Sequence, residues 1–242
     1  MELIKIQKYF TDCGVMSRRA AELEIQKGKV LVNGVKAEIG MRIDPSCDVV
    51  EYLGKEIKPS STENVYIILN KPRGIVTTMS DEKGRTTVKE LVKDVGARVY
   101  PVGRLDMDSD GLLLFTNDGA LANTLTHPRH DIPKIYRVTL SGEITDEQLA
   151  ILRSPLVLDG YKILPVKVDV ISKERQQSII EMTLYEGRNR QIRKMCEMAE
   201  LRITRLCRIA IGQIKLGDLK VGKWRFLTDS EIYSLRQGKA QN

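Results

Sequence analysis

The stretch Gly103-Arg104-Leu105-Asp106-Met107-Asp108-Ser109-Asp110-Gly111, continued without a break by Leu112-Leu113-Leu114-Phe115-Thr116-Asn117, decides how the rest of the chain is read. Its second half is short, apolar and uncharged, and it ends in the turn residues Asn117-Asp118-Gly119, the pattern of a buried strand. The first half sets aspartates at every second position beside an arginine and closes on a glycine. Carboxylates are thereby placed on a loop anchored to rigid core, where chemistry is commonly sited.

Three readings of this loop compete. Asp106, Asp108, Asp110 and Gly111 match the opening of a calcium-binding EF-hand loop, but the closing bidentate Glu falls at Asn117 and the flanks read as strand. In the second reading, taken for Asp108 and Asp110, short acidic side chains satisfy backbone N–H groups of a tight turn beside Arg104. In the third, Asp106 is an active-site carboxylate oriented by a nearby cation and aimed at a substrate. Arg104 alone does not choose among them.

Composition narrows the class. At 242 residues and 42% hydrophobic, the chain holds a main domain with a full core plus a small one. No apolar run approaches a membrane span, and Met1-Glu2-Leu3-Ile4-Lys5 does not open a signal peptide, so a cytoplasmic protein is expected. Cys13, Cys47, Cys196 and Cys207 are scattered, without a Cys-x-x-Cys pair or zinc-ligand spacing, and read as free thiols. His127 and His130 flank Pro128-Arg129 in a turn-like stretch and read as surface or RNA-contacting groups rather than a catalytic pair.

The net charge of +7 calls for an anionic partner. Residues 186–225 carry eleven Lys or Arg against four Asp or Glu, an excess equal to that of the whole chain, whereas residues 1–60 are nearly balanced at ten against nine. Aromatics make up only 5%, which disfavours a stacking platform for single strands and favours folded RNA held by phosphates and shape.

In chain order, Leu3 to Phe10 reads as a short helix, and Ser17 caps a second over Arg18 to Lys27 that Gly28 ends. Lys29 to Val32 and Val35 to Ile39 form strands joined by Asn33-Gly34. Polar residues around Lys58-Pro59-Ser60-Ser61-Thr62-Glu63-Asn64 place a boundary: residues 1–58 form a small domain, 59–64 a linker, 65–237 the main domain and 238–242 a frayed tail. Val65 to Asn70 is a strand leaving through Lys71-Pro72-Arg73-Gly74, and Val88 to Val92 and Ala120 to Leu125 are helical. Lys134 to Leu140 alternates, with Tyr136, Val138 and Leu140 on the core-facing side, and Ser178 to Leu184 alternates likewise. Thr145 to Leu152 is a helix. Ile192, Met195, Cys196 and Ala199 stripe another helix beside a polar face with Arg190, Arg193 and Glu197. Arg202 to Leu227 reads as two strands, and Thr228 with Glu231 forms the capping box of a last helix. The whole is an α+β chain with a mixed, mainly antiparallel sheet.

Gly103-Arg104-Leu105-Asp106, with Asp110-Gly111-Leu112-Leu113 and Thr116-Asn117-Asp118-Gly119, resembles the signature of the RsuA family of ribosomal RNA pseudouridine synthases. Asn70-Lys71-Pro72-Arg73-Gly74, Lys134-Ile135-Tyr136-Arg137-Val138 and Arg188-Asn189-Arg190-Gln191-Ile192-Arg193 resemble three further motifs of that family, and residues 6–34 resemble its S4 RNA-binding domain. The resemblance implies that Asp106 is the catalytic aspartate, that Tyr136 stacks on the target base with Lys134 nearby, and that Arg193 pairs with the aspartate. It further implies that Tyr136 assists the reaction as a catalytic residue, that Lys134 binds the substrate, that Ile192 packs beneath a flipped base and that Ser17, Arg18, Arg19, Lys27 and Lys29 face RNA phosphates. Arg104 is counted with the substrate-binding residues, and Arg188 and Arg190 as a basic face for phosphate. Isomerisation of uridine needs neither redox chemistry nor an external group, so no cofactor and no metal are expected. The expected partner is ribosomal RNA, 23S ahead of 16S, or an assembly intermediate, bound by a monomer; a non-catalytic S4-type RNA-binding or ribosome-assembly protein is the alternative.

Overall fold

The computed structural model describes residues 3–58, 63–126 and 132–237. The chain divides into two compact units, residues 1–64 and 65–242. His127 and His130, most of the expected linker and the C-terminal tail lie outside the described residues.

In the first unit a short strand β1 (Ile4–Lys5) precedes α1 (Ile6–Asp12) and α2 (Arg18–Gln26). The first helix therefore starts later than its apolar spacing suggests. Ile4 and Lys5 are drawn into a ladder with β4 (Arg42–Ile43), and Ile6 N–H donates to Met41 C=O at 2.9 Å, so the first residues are extended. Ser17 caps α2 by accepting from Ala20 N–H at 3.2 Å. Strands β2 (Val30–Val32), β3 (Val35–Lys36), β5 (Val50–Tyr52) and β6 (Lys55–Ile57) form an antiparallel sheet in the order β3-β2-β5-β6. Ile6, Phe10, Ala21, Ile25, Val30, Ile43 and Val50 form its core.

The second unit is built on β7 (Tyr66–Lys71) and β9 (Asp110–Thr116), which are buried at every position. Strands covered on both faces read as unbroken apolar runs, which is why this part of the sequence lacks alternation. Leu112 and Leu114 point into one apolar cluster, and Leu113 and Phe115 into another on the opposite face. The remaining elements are a 3₁₀ turn at Val88–Leu91, β8 (Tyr100–Pro101), α3 (Gly119–Thr126), β10 (Lys134–Ser141), α4 (Asp146–Arg153), β11 (Val157–Leu158) and β12 (Tyr161–Lys162). They continue with β13 (Lys167–Lys173), β14 (Gln177–Leu184), α5 (Gln191–Met198), β15 (Ile203–Ile211), β16 (Ile214–Lys215), β17 (Trp224–Phe226) and α6 (Asp229–Gln237).

The main sheet runs β13-β14-β10-β15-β9-β7-β17, with β8 beside β9 and β16 beside β15. Every pairing is antiparallel except β15 with β9, so the expected mixed, mainly antiparallel α+β architecture is found. Between Arg202 and Leu227 three strands form rather than two. Gly212, at φ +55°, turns β15 directly into β16, a hairpin too tight to separate from one long apolar run.

Val138 and Leu140 are fully buried on the side of β10 that Tyr136 shares, while Arg137 is exposed, as the alternation requires. Ile192, Met195, Cys196 and Ala199 are all buried, so the apolar stripe of α5 faces the core beneath β10 and β14. Cys13, Cys196 and Cys207 are buried free thiols and Cys47 is an exposed one. Among the described residues no helix is long and apolar enough to cross a membrane.

Candidate active site

The acidic loop issues from the point where the two directions of the sheet meet. Gly111 is paired with Arg208 across the parallel β9–β15 contact, at φ +104°. A Cβ there would lie 2.3 Å from Arg208 C=O oxygen and 2.8 Å from both Arg208 N and Cys207 Sγ. Only glycine allows this approach, and it brings the loop beside Arg205 and Arg208 of β15.

Lys71 closes the loop from the other side. It sits opposite Gly111 at the end of β7, fully buried, and its Nζ donates to the carbonyls of Pro72 at 3.0 Å, Asp106 at 3.1 Å and Ser109 at 2.9 Å. Burial pushes its ammonium down to about 8, against the opposing pull of Asp110, Asp108 and Asp106. Thr77 Oγ1 donates to Leu105 C=O at 2.7 Å, and Gly74 N–H donates to Met107 C=O at 2.7 Å. The loop backbone is thus held at Leu105, Asp106, Met107 and Ser109, leaving the carboxylates as its free ends.

Asp110 goes to one arginine, and Asp106 and Asp108 share two others. Asp110, buried, accepts from Arg205 Nη2 at 2.7 Å and Nε at 3.0 Å. Asp106 Oδ2 lies 3.5 Å from Arg190 Nη1 and 4.0 Å from Arg193 Nε. Asp108 Oδ2 lies 3.1 Å from Arg193 Nη2 and 3.5 Å from Arg190 Nη1. Opposed by cations in this way, the three carboxylates do not form the convergent ligand set of an EF-hand.

Arg193 therefore does reach the Asp106 carboxylate, but its shorter contacts are to Asp108, whose carboxylate and C=O it meets, and to Ser109 Oγ at 3.2 Å. Arg190, read from sequence as a phosphate-binding group, shares the same two carboxylates. Arg190 has a left-handed backbone, φ 51°, at the start of α5, and its side chain reaches the loop. Arg188 is likewise engaged, paired with Glu186 at 3.2 Å and lying 3.1 Å over the ring of Tyr161.

A cavity of about 390 Å³ opens above this cluster, within the size range of small-ligand sites. Arg104, Asp106, Lys134, Tyr136, Arg188, Arg190, Ile192 and Arg193 all line it, so the main-domain residues expected to act in catalysis or substrate binding meet there. Lysine 71 and Arg208 were not singled out. Lys71 gave a signal as a lysine ending an apolar strand, and Arg208 as a cation inside Leu206-Cys207-Arg208-Ile209-Ala210-Ile211, where burial forces it to act within the core.

In the first unit Ser17, Arg18 and Arg19 are exposed at the start of α2. Lys27 and Lys29 already hold Glu24, at 2.8 and 3.0 Å, and together they lower its carboxyl to about 2. Their availability to RNA phosphates is correspondingly reduced.

Residues 65–198 match the family model described as RNA pseudouridylate synthase, and the chain belongs to that family. It is an RNA pseudouridine synthase, an isomerase. The ribosomal large subunit pseudouridine synthase B of Bacillus subtilis is 41% identical over 96% of this chain and 95% of its own. An uncharacterized RNA pseudouridine synthase of Aquifex aeolicus is 40% identical over 96% of this chain and 93% of its own. A crystal structure of a pseudouridylate synthase superposes with a TM-score of 0.69, at 27% identity, over 96% of this chain and 99% of that one.

Proposed function

We propose that the chain isomerises a uridine of ribosomal RNA, in the large subunit, with Asp106 as the catalytic carboxylate. The observation that carries the site assignment is the meeting of Asp106, Tyr136, Ile192 and Arg193, from three separate stretches of sequence, around one cavity in a member of this family. A uridine within folded RNA must leave its stack to enter, at a cost of a few kcal/mol. Tyr136 offers a face for the flipped base, Ile192 an apolar floor, and Arg104, Lys134 and Arg188 cationic groups at the cavity wall. Arg193 and Arg190 orient Asp106, which acts on the ribosyl or uracil ring while the N-glycosidic bond breaks and the base rejoins through its carbon 5.

The large-subunit assignment rests on the similarity to the B-type enzyme of B. subtilis and on the motif context around Tyr136; 16S RNA is the second substrate to test. The first unit contributes RNA binding through Ser17, Arg18 and Arg19 at the start of α2 and through Lys27 and Lys29 at its other end. The enzyme acts in the cytoplasm as a monomer, on free RNA or an assembly intermediate, with no cofactor or metal.

Tritium release from RNA labelled at uridine carbon 5, run with separate 23S and 16S transcripts and with assembly intermediates, tests this. Release from 23S-containing substrate that disappears in Asp106→Asn is expected. Release from 16S alone moves the target to the small subunit, and release that survives Asp106→Asn removes Asp106 from the chemistry.

A further inference from the structure

Arg208 is a buried cation that the pairings described above leave out. It is 5% exposed, yet among the described residues it forms no ion pair with a carboxylate. Its Nε donates to Leu112 C=O at 2.8 Å, and its Nη1 lies 3.5 Å from Tyr136 Oη, to which it donates. Its Nη2 is buried with no hydrogen-bond partner among the described residues. The residue lines the same cavity as Asp106, Tyr136 and Ile192. A guanidinium desolvated to this degree without a counter-charge is costly, and such a cost is tolerated where a ligand supplies the missing acceptor. Arg193 Nε is likewise buried without a hydrogen-bond partner, but Arg190, Arg193 and Arg205 each have a carboxylate, so it is the missing counter-charge that sets Arg208 apart from these neighbours.

We propose that Arg208 is a further catalytic residue, whose guanidinium donates to a carbonyl oxygen of the flipped uracil and stabilises the negative charge of the detached base. This rests on the cavity being the uridine site. A base carbonyl suits the position better than a phosphate. Arg208 is buried, as are Leu206, Leu114 and Ile192 of the same cavity lining, whereas the lining cations Arg104 and Arg188 are exposed, where a backbone phosphate stays in water.

The chemistry requires such a donor. When the N1–C1′ bond breaks, its electron pair stays on the ring and is shared among N1, O2 and O4, leaving C1′ electron-poor. The ring then turns about the axis through N3 and C6, which exchanges N1 with C5 and O2 with O4. An electron pair at C5 forms the C5–C1′ bond, N1 takes up a proton and the C5 hydrogen leaves as a proton, so the product is an isomer of the substrate. A fixed donor facing O2 before the turn faces O4 after it, and binds an oxygen that is most negative in between. Donors placed where charge develops contribute more to the transition state than to the ground state.

The test is a cycle between enzyme and substrate, using a synthetic RNA hairpin that carries the mapped target uridine as uridine, 2-thiouridine or 4-thiouridine. Single-turnover rates are measured for wild type, Arg208→Gln and Arg208→Lys, with Asp106→Asn as control and thermal melting as the check on folding. Sulfur is the poorer acceptor, so at least one thio-substitution is expected to slow the wild type about 10- to 100-fold, the range of one hydrogen bond to a charged group. Arg208→Gln is expected to lose about 10²-fold on uridine and little more on the thio-substrate, because both changes remove the same contact. A purely structural Arg208 gives losses that multiply, and that result overturns the proposal. Equal wild-type rates on all three RNAs overturn it too, and that arm stands even where a variant fails to fold. Turnover that survives Asp106→Asn instead removes the reading of the cavity itself, and the proposal with it.

Discussion

Arg190 and Arg193 touch the same two carboxylates but differ in what else they hold. The Arg193 side chain is 18% exposed and fastens the loop through Asp108 C=O and Ser109 Oγ, whereas that of Arg190 is 46% exposed and contacts carboxylates alone. Exposed ion pairs contribute little, while a desolvated donor that fixes a reacting group contributes much. Arg193→Gln should therefore lower kcat about 10²-fold, and Arg190→Gln by less than about fivefold, consistent with a surface pair. Similar losses from the two substitutions, measured by tritium release, would show that Asp106 is oriented by charge rather than by the loop. Lys71 gives a different signature. Its folded-state pKa, about 8, lies below the ordinary 10.5, so between these values the unfolded chain binds more protons and stability rises with pH. Below about 8 both states are protonated and the burial penalty is present in full. Urea unfolding of wild type and Lys71→Met at pH 7.5 and 9.5 should show wild type gaining stability relative to Lys71→Met at the higher pH; a difference that does not change with pH would mean that the ammonium is not the strained group.

At the scale of elements, β9 and β15 form the one parallel pair of the main sheet among the described residues, and Gly111 is its point of closest approach. Gly111→Ala combines a disfavoured φ with overlap against backbone that has no freedom to move aside, and should cost at least about 3 kcal/mol. A loss below about 1 kcal/mol in denaturant unfolding would mean that the strands can separate there without consequence. This contact also shows where sequence reading stops. β9, α5 and the core-facing side of β10 were legible because apolar spacing within one segment is set by the segment's own geometry. Asp106, Tyr136 and Arg193 were legible through motif resemblance, while their meeting in one cavity follows from strand order, which no local pattern carries. Arg208 was missed for that reason: its environment comes from Leu112 and Tyr136, 96 and 72 residues away. The pairing of Arg190 with Asp106 and Asp108 was not legible, because a left-handed residue at a helix start leaves no mark in composition.

For the whole molecule, the placement of charge differs from its distribution along the sequence. Residues 186–225 account for the entire net charge of +7, which suggested a basic surface for RNA. In the fold much of that excess is spent internally: Arg188 on Glu186, Arg190 and Arg193 on the loop, Lys194 on Asp159, Arg205 on Asp110 and Arg225 on Glu231. Arg208 is buried as well. The nearly neutral first unit, by contrast, exposes Arg18 and Arg19 at a helix start, where the dipole disfavours cations, and neither forms an ion pair among the described residues. Local placement rather than net charge is thus the ground for proposing Arg18 and Arg19 as phosphate-binding residues. Each phosphate contact contributes roughly 0.7 to 0.9 to the slope of log affinity against log salt. Arg18→Gln with Arg19→Gln should flatten that slope by about 1 to 2 and raise KM, while single-turnover kcat at saturating enzyme stays unchanged, because neither residue lines the cavity. An unchanged slope would transfer RNA capture to the main domain, to cations such as Arg202, Lys220 and Lys223, which form no ion pair among the described residues.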